Sequence, residues 1–273
     1  MIETIMVTLG VIGTSIASIY DIKTREVPDS LSYFMLASAF ILKIFQYLYF
    51  NNFKILMVAI LSFTVISLFS YAMYKTGQWG GGDVKLLAGI SILFASFSNE
   101  KFLFFVRFIF NLLLIGAIYG IFYMIILIIK NFKKIMGKIS LRIKVLSVFI
   151  LLATIFIFTS EIPFKLVYSF FLGIATIYPY IKVAEADCFE KVVDVKKLTE
   201  GDWLISDVKK GNKVIVRKKK TGLTKEDIKK LKEAGIRKIK IKEGIPFVPA
   251  ILLTLIFTIY YENLILLPLF YVQ

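Results

Sequence analysis

Two acidic residues stand at the ends of strongly apolar runs. Asp21 closes the run from Ile2 to Tyr20, and Asp83 follows Gly80-Gly81-Gly82 and leads through Val84-Lys85 into Leu86 to Phe94. A charged side chain in hydrocarbon costs roughly 2.5 to 3.5 kcal/mol on insertion scales, and successive glycines weaken the helix that would carry it. Chemistry explains such a residue better than folding does. Two carboxylates a few ångströms apart cannot both ionise, so they share a proton and titrate as a unit. One then takes a proton from water as it attacks a peptide carbonyl, while the other donates to the carbonyl oxygen and later to the leaving amine. The glycines let another backbone approach closely, so a substrate strand could lie along them. The plainer alternative is a flexible turn in which Asp83 is the N-cap of the following helix.

The residues that are missing narrow the chemistry further. There is no histidine, and Cys188 is the only cysteine. Ser-His and Cys-His catalysis, His-Glu-x-x-His and four-cysteine zinc sites, and histidine-ligated haem therefore lack their residues. What remains for a hydrolase is a carboxylate pair or a serine activated by lysine, and no metal or cofactor is expected. Cys188 permits no internal disulfide and reads as a small side chain.

The elements that must position the two acids are membrane helices. The chain is 58% hydrophobic, with repeated runs of bilayer-spanning length. The expected fold is an all-α polytopic membrane protein of about eight transmembrane helices, at 2–20, 31–50, 55–74, 84–97, 102–129, 145–159, 163–181 and 246–269. Six or seven spans also fit, because 84–97 is short and 145–159 barely long enough. The first run has Glu3 before its apolar core and no basic n-region, so it reads as a membrane helix and not as a cleaved signal. Lysine and arginine fall in alternate connections: 21–30 carries Lys23 and Arg25, 75–83 carries Lys75, 130–144 carries six and the long segment 182–245 is rich in both, whereas 51–54, 98–101 and 160–162 hold only Lys54 and Lys101. The positive-inside rule puts the basic connections in the cytoplasm and both termini outside. Helix one then ends, and helix four begins, at the same cytoplasmic depth, which brings Asp21 and Asp83 level.

Three units follow: a transmembrane catalytic part at 1–182, a small cytoplasmic α+β domain at 183–245, and the last transmembrane helix within 246–273. In the insertion, Trp203 to Val208 and Lys213 to Arg217 read as strands joined near Gly211-Asn212. Thr224 caps a helix through Glu233, Gly235 ends it, and Ile236 to Ile241 alternates as a further strand. Its basic faces, including Arg217 to Lys220, have few interleaved aromatics, which suits solvent and an anionic bilayer surface and not nucleic acid. The acids Glu185, Asp187 and Glu190 are candidates for receiving a basic peptide. Near the first acid, Pro28 and Asp29 form a turn and N-cap for the second span, and Lys23 and Arg25 act as orientation charges or touch substrate. Lys85 either favours ionised Asp83 electrostatically or snorkels to the interface.

Asp21-Ile22-Lys23-Thr24-Arg25-Glu26-Val27-Pro28-Asp29, followed by Gly80-Gly81-Gly82-Asp83-Val84-Lys85-Leu86-Leu87-Ala88, resembles the type IV prepilin peptidases and archaeal preflagellin peptidases, which are Gly-x-Gly-Asp aspartic membrane proteases. The likeness is close over the first hundred residues. It extends weakly to Gly244-Ile245-Pro246-Phe247-Val248-Pro249-Ala250, which looks like the approach to the last span of archaeal members. The resemblance implies Asp21 and Asp83 as the catalytic pair, Gly80 and Gly82 as the shape of the second motif, and Pro246 and Pro249 as part of the substrate-binding or motif set with Lys85. It also implies cytoplasmic cleavage of short, basic class III leader peptides, so the expected partners are pilin-like or flagellin precursors and the lipid bilayer. Many bacterial relatives carry a Cys-x-x-Cys zinc domain after the first span and N-methylate their product. Here that connection is short and has no cysteine, so methyl transfer is not expected. Two other readings stay open: a presenilin-like protease, which shares Tyr20-Asp21 and Pro249-Ala250, and a non-enzymatic transporter whose acids relay protons or bind cations.

Overall fold

A computed structural model describes residues 2–95, 103–211 and 213–260. Among these residues six helices are long and apolar enough to cross a membrane: α1 (Ile2–Thr24), α2 (Asp29–Phe50), α3 (Lys54–Lys75), α5 (Leu103–Lys130), α7 (Leu141–Thr159) and α8 (Lys165–Cys188). The protein is thus mostly helical and multi-pass, with a small sheet-containing unit. Every expected span holds a helix, but α4 (Gly81–Leu93) and α10 (Val248–Tyr260) are shorter. Residues 96 and 97 of the fourth expected span, and 261–269 of the last, lie outside the described residues.

The shortness of α4 has a physical reason. At 1.5 Å per residue its 13 residues reach roughly 20 Å, short of the ~30 Å hydrocarbon layer. All residues from Leu86 to Leu93 are buried, which is why its apolar run shows no polar stripe: neighbours cover it all round. It packs chiefly on α2 and α3, in a core with Met6 of α1, Met35 and Ala39 of α2, Ile66 of α3, Leu112 of α5 and Val248 and Leu255 of α10. Residues that face out from the bundle, such as Phe149, Phe156, Phe170 and Phe171, are exposed and suited to lipid. A further helix, α6 (Phe132–Lys138), forms within the basic connection before α7. Helix α8 runs on past 181 to Cys188, with Pro179 inside it.

The insertion folds around its own apolar cluster, including Val195, Leu204, Val216, Leu231, Ile239 and Ile241. Strands β1 (Glu190–Asp194), β2 (Trp203–Leu204) and β5 (Lys238–Lys242) form one antiparallel sheet in the order β1-β5-β2, and β3 (Val208–Lys210) pairs with β4 (Lys213–Val216) in a second. The strand expected at 203–208 is therefore two strands in different sheets, and β1 was not anticipated; Asn212 of the expected turn lies outside the described residues. As expected, Thr224 caps α9 (Lys225–Glu233), accepting the Asp227 N–H at 3.2 Å, and Gly235 follows it with φ 70°.

Gly222 links this unit's loops. Its φ is 82°, and a side chain there would run into the Gly201 carbonyl. Gly222→Ala is expected to destabilise the unit by about 1 to 3 kcal/mol, the scale of one strained backbone position. Amide exchange of β2 and β5 in the intact protein should accelerate while the α4 amides keep their protection; unchanged exchange in β2 and β5 would refute the expectation.

Candidate active site

Asp21 occupies the last turn of α1 and is 6% exposed. Its Oδ2 accepts the backbone N–H of Val248 at 2.9 Å. Val248 is the first residue of α10. Pro249 is the second and has no N–H, while the Ala250 and Ile251 N–H groups bond the Phe247 carbonyl at 2.9 and 3.3 Å. Each first-turn donor is thus accounted for, and a carboxylate lies at the positive end of the helix dipole. Pro249 costs nothing at this position, since its missing donor would be an orphan in any case. Pro246 is buried in the same approach segment.

Asp83 is the third residue of α4, not its N-cap. Gly80 is the residue before the helix, and the Gly80 N–H donates to Asp83 Oδ2 at 3.0 Å. Gly81 and Gly82 are helical, so these two glycines do not hold the helix off as their type suggests. Asp83 lies within electrostatic reach of Asp21. The contact between their segments is explicit: a Cβ on Gly82 would stand 3.0 Å from Val27 Cβ. The space expected for a substrate strand at Gly82 is filled by the protein's own Val27. Trp79, just before the glycines, packs on Phe247 with ring centroids 5.4 Å apart and meets Phe69 edge-on at 5.6 Å. The ends of α1, α4 and α10 therefore converge, and Asp21, Gly80, Gly82, Asp83 and the Pro246–Pro249 segment come together.

Lys85 does not join them. Its Nζ pairs with Asp29 Oδ1 at 2.6 Å and lies 5.3 Å from the centre of the Tyr33 ring. Asp29 is the first residue of α2 and makes no cap, because Pro28 takes the N-cap position. The side chains of the pair are 38% and 64% exposed, and such pairs contribute about 0 to 1 kcal/mol. Lys85→Ala is accordingly expected to cost no more than about 1 kcal/mol of stability, and a larger loss in a thermal-denaturation measurement would refute the expectation.

The sheet-containing unit touches both loops of the site. Thr199 hydrogen-bonds Glu26, the Tyr74 hydroxyl donates to the Thr221 carbonyl at 3.3 Å, and the Lys220 carbonyl lies against Gly77. Glu185 and Asp187 are paired with Lys242 and Lys138, and Glu190 stands opposite Lys242 in the sheet. The acids expected to receive a basic peptide thus already face the protein's own lysines. Trp79 escaped the sequence reading, and Phe247 and Val248 entered it only within the Gly244–Ala250 stretch, with no role of their own. The one available signal was Pro249, which marks a helix start and hence free N–H groups just before it.

Residues 8–137 match the type IV leader peptidase family. A preflagellin peptidase of Methanococcus maripaludis (strain C6 / ATCC BAA-1332) is 30% identical over 89 residues, which cover 33% of this chain and 38% of that protein. The chain thus aligns with well under two thirds of that relative's length. No solved structure matches the chain. The matched stretch, just under half of the chain, carries both aspartates and the glycine run, and there the chain is similar to the type IV leader peptidase family.

Proposed function

We propose that the protein is a membrane-embedded aspartic endopeptidase that removes short, basic leader peptides from pilin-like or flagellin precursors at the cytoplasmic face. The observation that supports this reading is that two carboxyls from separate helices, Asp21 and Asp83, lie within electrostatic reach of each other while Val27, just after the first helix, packs against Gly82 of the second. A shared proton makes one carboxyl the base toward water and the other the acid toward the scissile carbonyl and the departing amine. The lysines and arginines at 23, 25, 75 and through 130–144 favour a cytoplasmic site with both termini outside. In this scheme residues 1–182 and the helix within 246–273 form the catalytic membrane part, and 183–245 is a cytoplasmic α+β domain resting on the loops of the site. Gly80 serves through its N–H on Asp83, Gly82 through close approach, and Pro246 and Pro249 by directing the α10 donor to Asp21.

The test uses the purified full chain in a bilayer with flagellin-like, adhesive-pilin-like and sugar-binding-protein precursors, the products mapped by mass spectrometry. One cut at the end of a basic leader, with no added metal, is expected in at least one class. Intact precursors throughout would reject the reading.

A further inference from the structure

Three described non-glycine residues have left-handed backbone. Asn51 closes α2, Phe164 precedes α8, and Arg25 follows α1 with φ 62°. Asparagine adopts this region readily, but arginine does so only where the surroundings hold it. What holds Arg25 is visible. Its own N–H bonds the Asp21 carbonyl at 2.9 Å, continuing the turn that ends α1. Its side chain then reaches two distant parts of the chain. Nη2 donates to the Tyr123 hydroxyl of α5 at 2.8 Å, with the guanidinium carbon 5.7 Å from that ring's centre, and Nη1 donates to the Gly244 carbonyl at 3.4 Å.

Gly244 lies four residues before Val248, whose N–H is on Asp21. Asp21 and Arg25 are themselves four residues apart. The end of α1 therefore grips the approach to α10 at two points, the carboxylate at Val248 and the guanidinium at Gly244, and the guanidinium ties the same segment to α5. A single ammonium lacks the planar fork that serves both acceptors. We propose that Arg25 is a positioning residue for the cleavage reaction, holding the Gly244–Val248 segment and α5 against the end of α1 so that the backbone donor of α10 stays on Asp21. This rests on the aspartate-pair reading above, and it goes further by giving Arg25 a role through Asp21 and not through the substrate.

The backbone at Arg25 makes the test direct. Glycine accepts a φ of 62° without cost, so Arg25→Gly removes the guanidinium and leaves the turn unstrained. In steady-state cleavage of a pilin-type precursor by the full chain, kcat of Arg25→Gly is expected to fall about a hundredfold, the penalty for displacing a reacting group by roughly 1 Å, with KM changed less than about threefold. Free guanidinium ion at roughly 20 mM restores part of that kcat and does nothing for wild type, while Arg25→Lys stays closer to Arg25→Gly than to wild type. Tyr123→Phe keeps the ring, loses one anchor and lowers kcat about fivefold.

Retention of kcat within about threefold by Arg25→Gly, or a rise in KM alone, overturns the proposal. Should Arg25→Gly fail to fold, Tyr123→Phe with unchanged kcat overturns it instead. Asp21→Asn in the same assay separates the two levels: if that variant is active the aspartate pair itself fails, whereas an inactive Asp21→Asn beside a fully active Arg25→Gly rejects the role of Arg25 alone.

Discussion

Asp21→Asn and Asp83→Asn are each expected to slow leader cleavage by about a thousandfold or more, the scale on which a proton-transferring side chain contributes. The amide is a fair probe because it keeps the shape and one oxygen acceptor of the acid. A carboxamide at position 21 can still receive the Val248 N–H, and one at position 83 the Gly80 N–H, so both backbone donors keep an acceptor. Thermal midpoint and membrane insertion should hardly move. What is lost is the exchangeable proton of the pair, and because the two groups titrate together, either substitution removes both functions. The double variant should be no slower than either single one, since residues acting as a unit are not additive. Near-normal turnover in either single variant would end the aspartate mechanism, and turnover lost together with folded protein would assign the residue to structure.

Gly82→Val should cost about a hundredfold in kcat/KM, and Gly82→Ala about tenfold, through displacement and not through chemistry. A Cβ at residue 82 meets Val27 Cβ at 3.0 Å and the Val27 nitrogen at 3.4 Å. Val27 is itself buried, so it has little room to yield. What moves is the connection that leaves Asp21, relative to the helix that carries Asp83. Pairing Gly82→Ala with Val27→Ala reopens the space and should recover most of the lost rate, a coupling that a double-mutant cycle reads directly. Gly80 is the informative contrast. Its φ is −77°, which any residue adopts, and an added Cβ finds only the Asp83 carboxylate at 3.4 Å. Gly80→Ala is expected to stay within a few-fold of wild type, so the two glycines of the motif separate experimentally. Equal losses at Gly80 and Gly82, or no recovery in the paired variant, would refute the steric account.

The sequence exposed what depends on residue type and period. Each of the eight apolar runs holds a helix, and the positions of Asp21 and Asp83 beside helix ends brought the pair forward before any coordinate did. It did not reveal that α4 is a buried core helix, because an apolar run reads alike whether lipid or protein surrounds it. Gly81 and Gly82 were misread as helix breakers, since propensity is a weak prior once neighbouring helices enclose the segment. The strand expected over 203–208 splits in two, because alternation shows a local face and not which partner lies on either side. The donor on Asp21 belongs to the backbone of Val248, and a backbone N–H carries no signature of residue type. The left-handed turn at Arg25 was equally hidden, as arginine is not a residue that announces such a conformation.

The bond from Val248 to Asp21 spans 227 positions of sequence. A ribosome adding about 5 to 20 residues per second needs roughly ten to forty-five seconds to cover that distance. For that interval the first helix is already made while the donor to its carboxylate has not been synthesised. The surroundings of Asp21 can therefore be completed only after Val248 has been made, and a nascent chain that has inserted its early helices holds that carboxylate without its α10 donor until then.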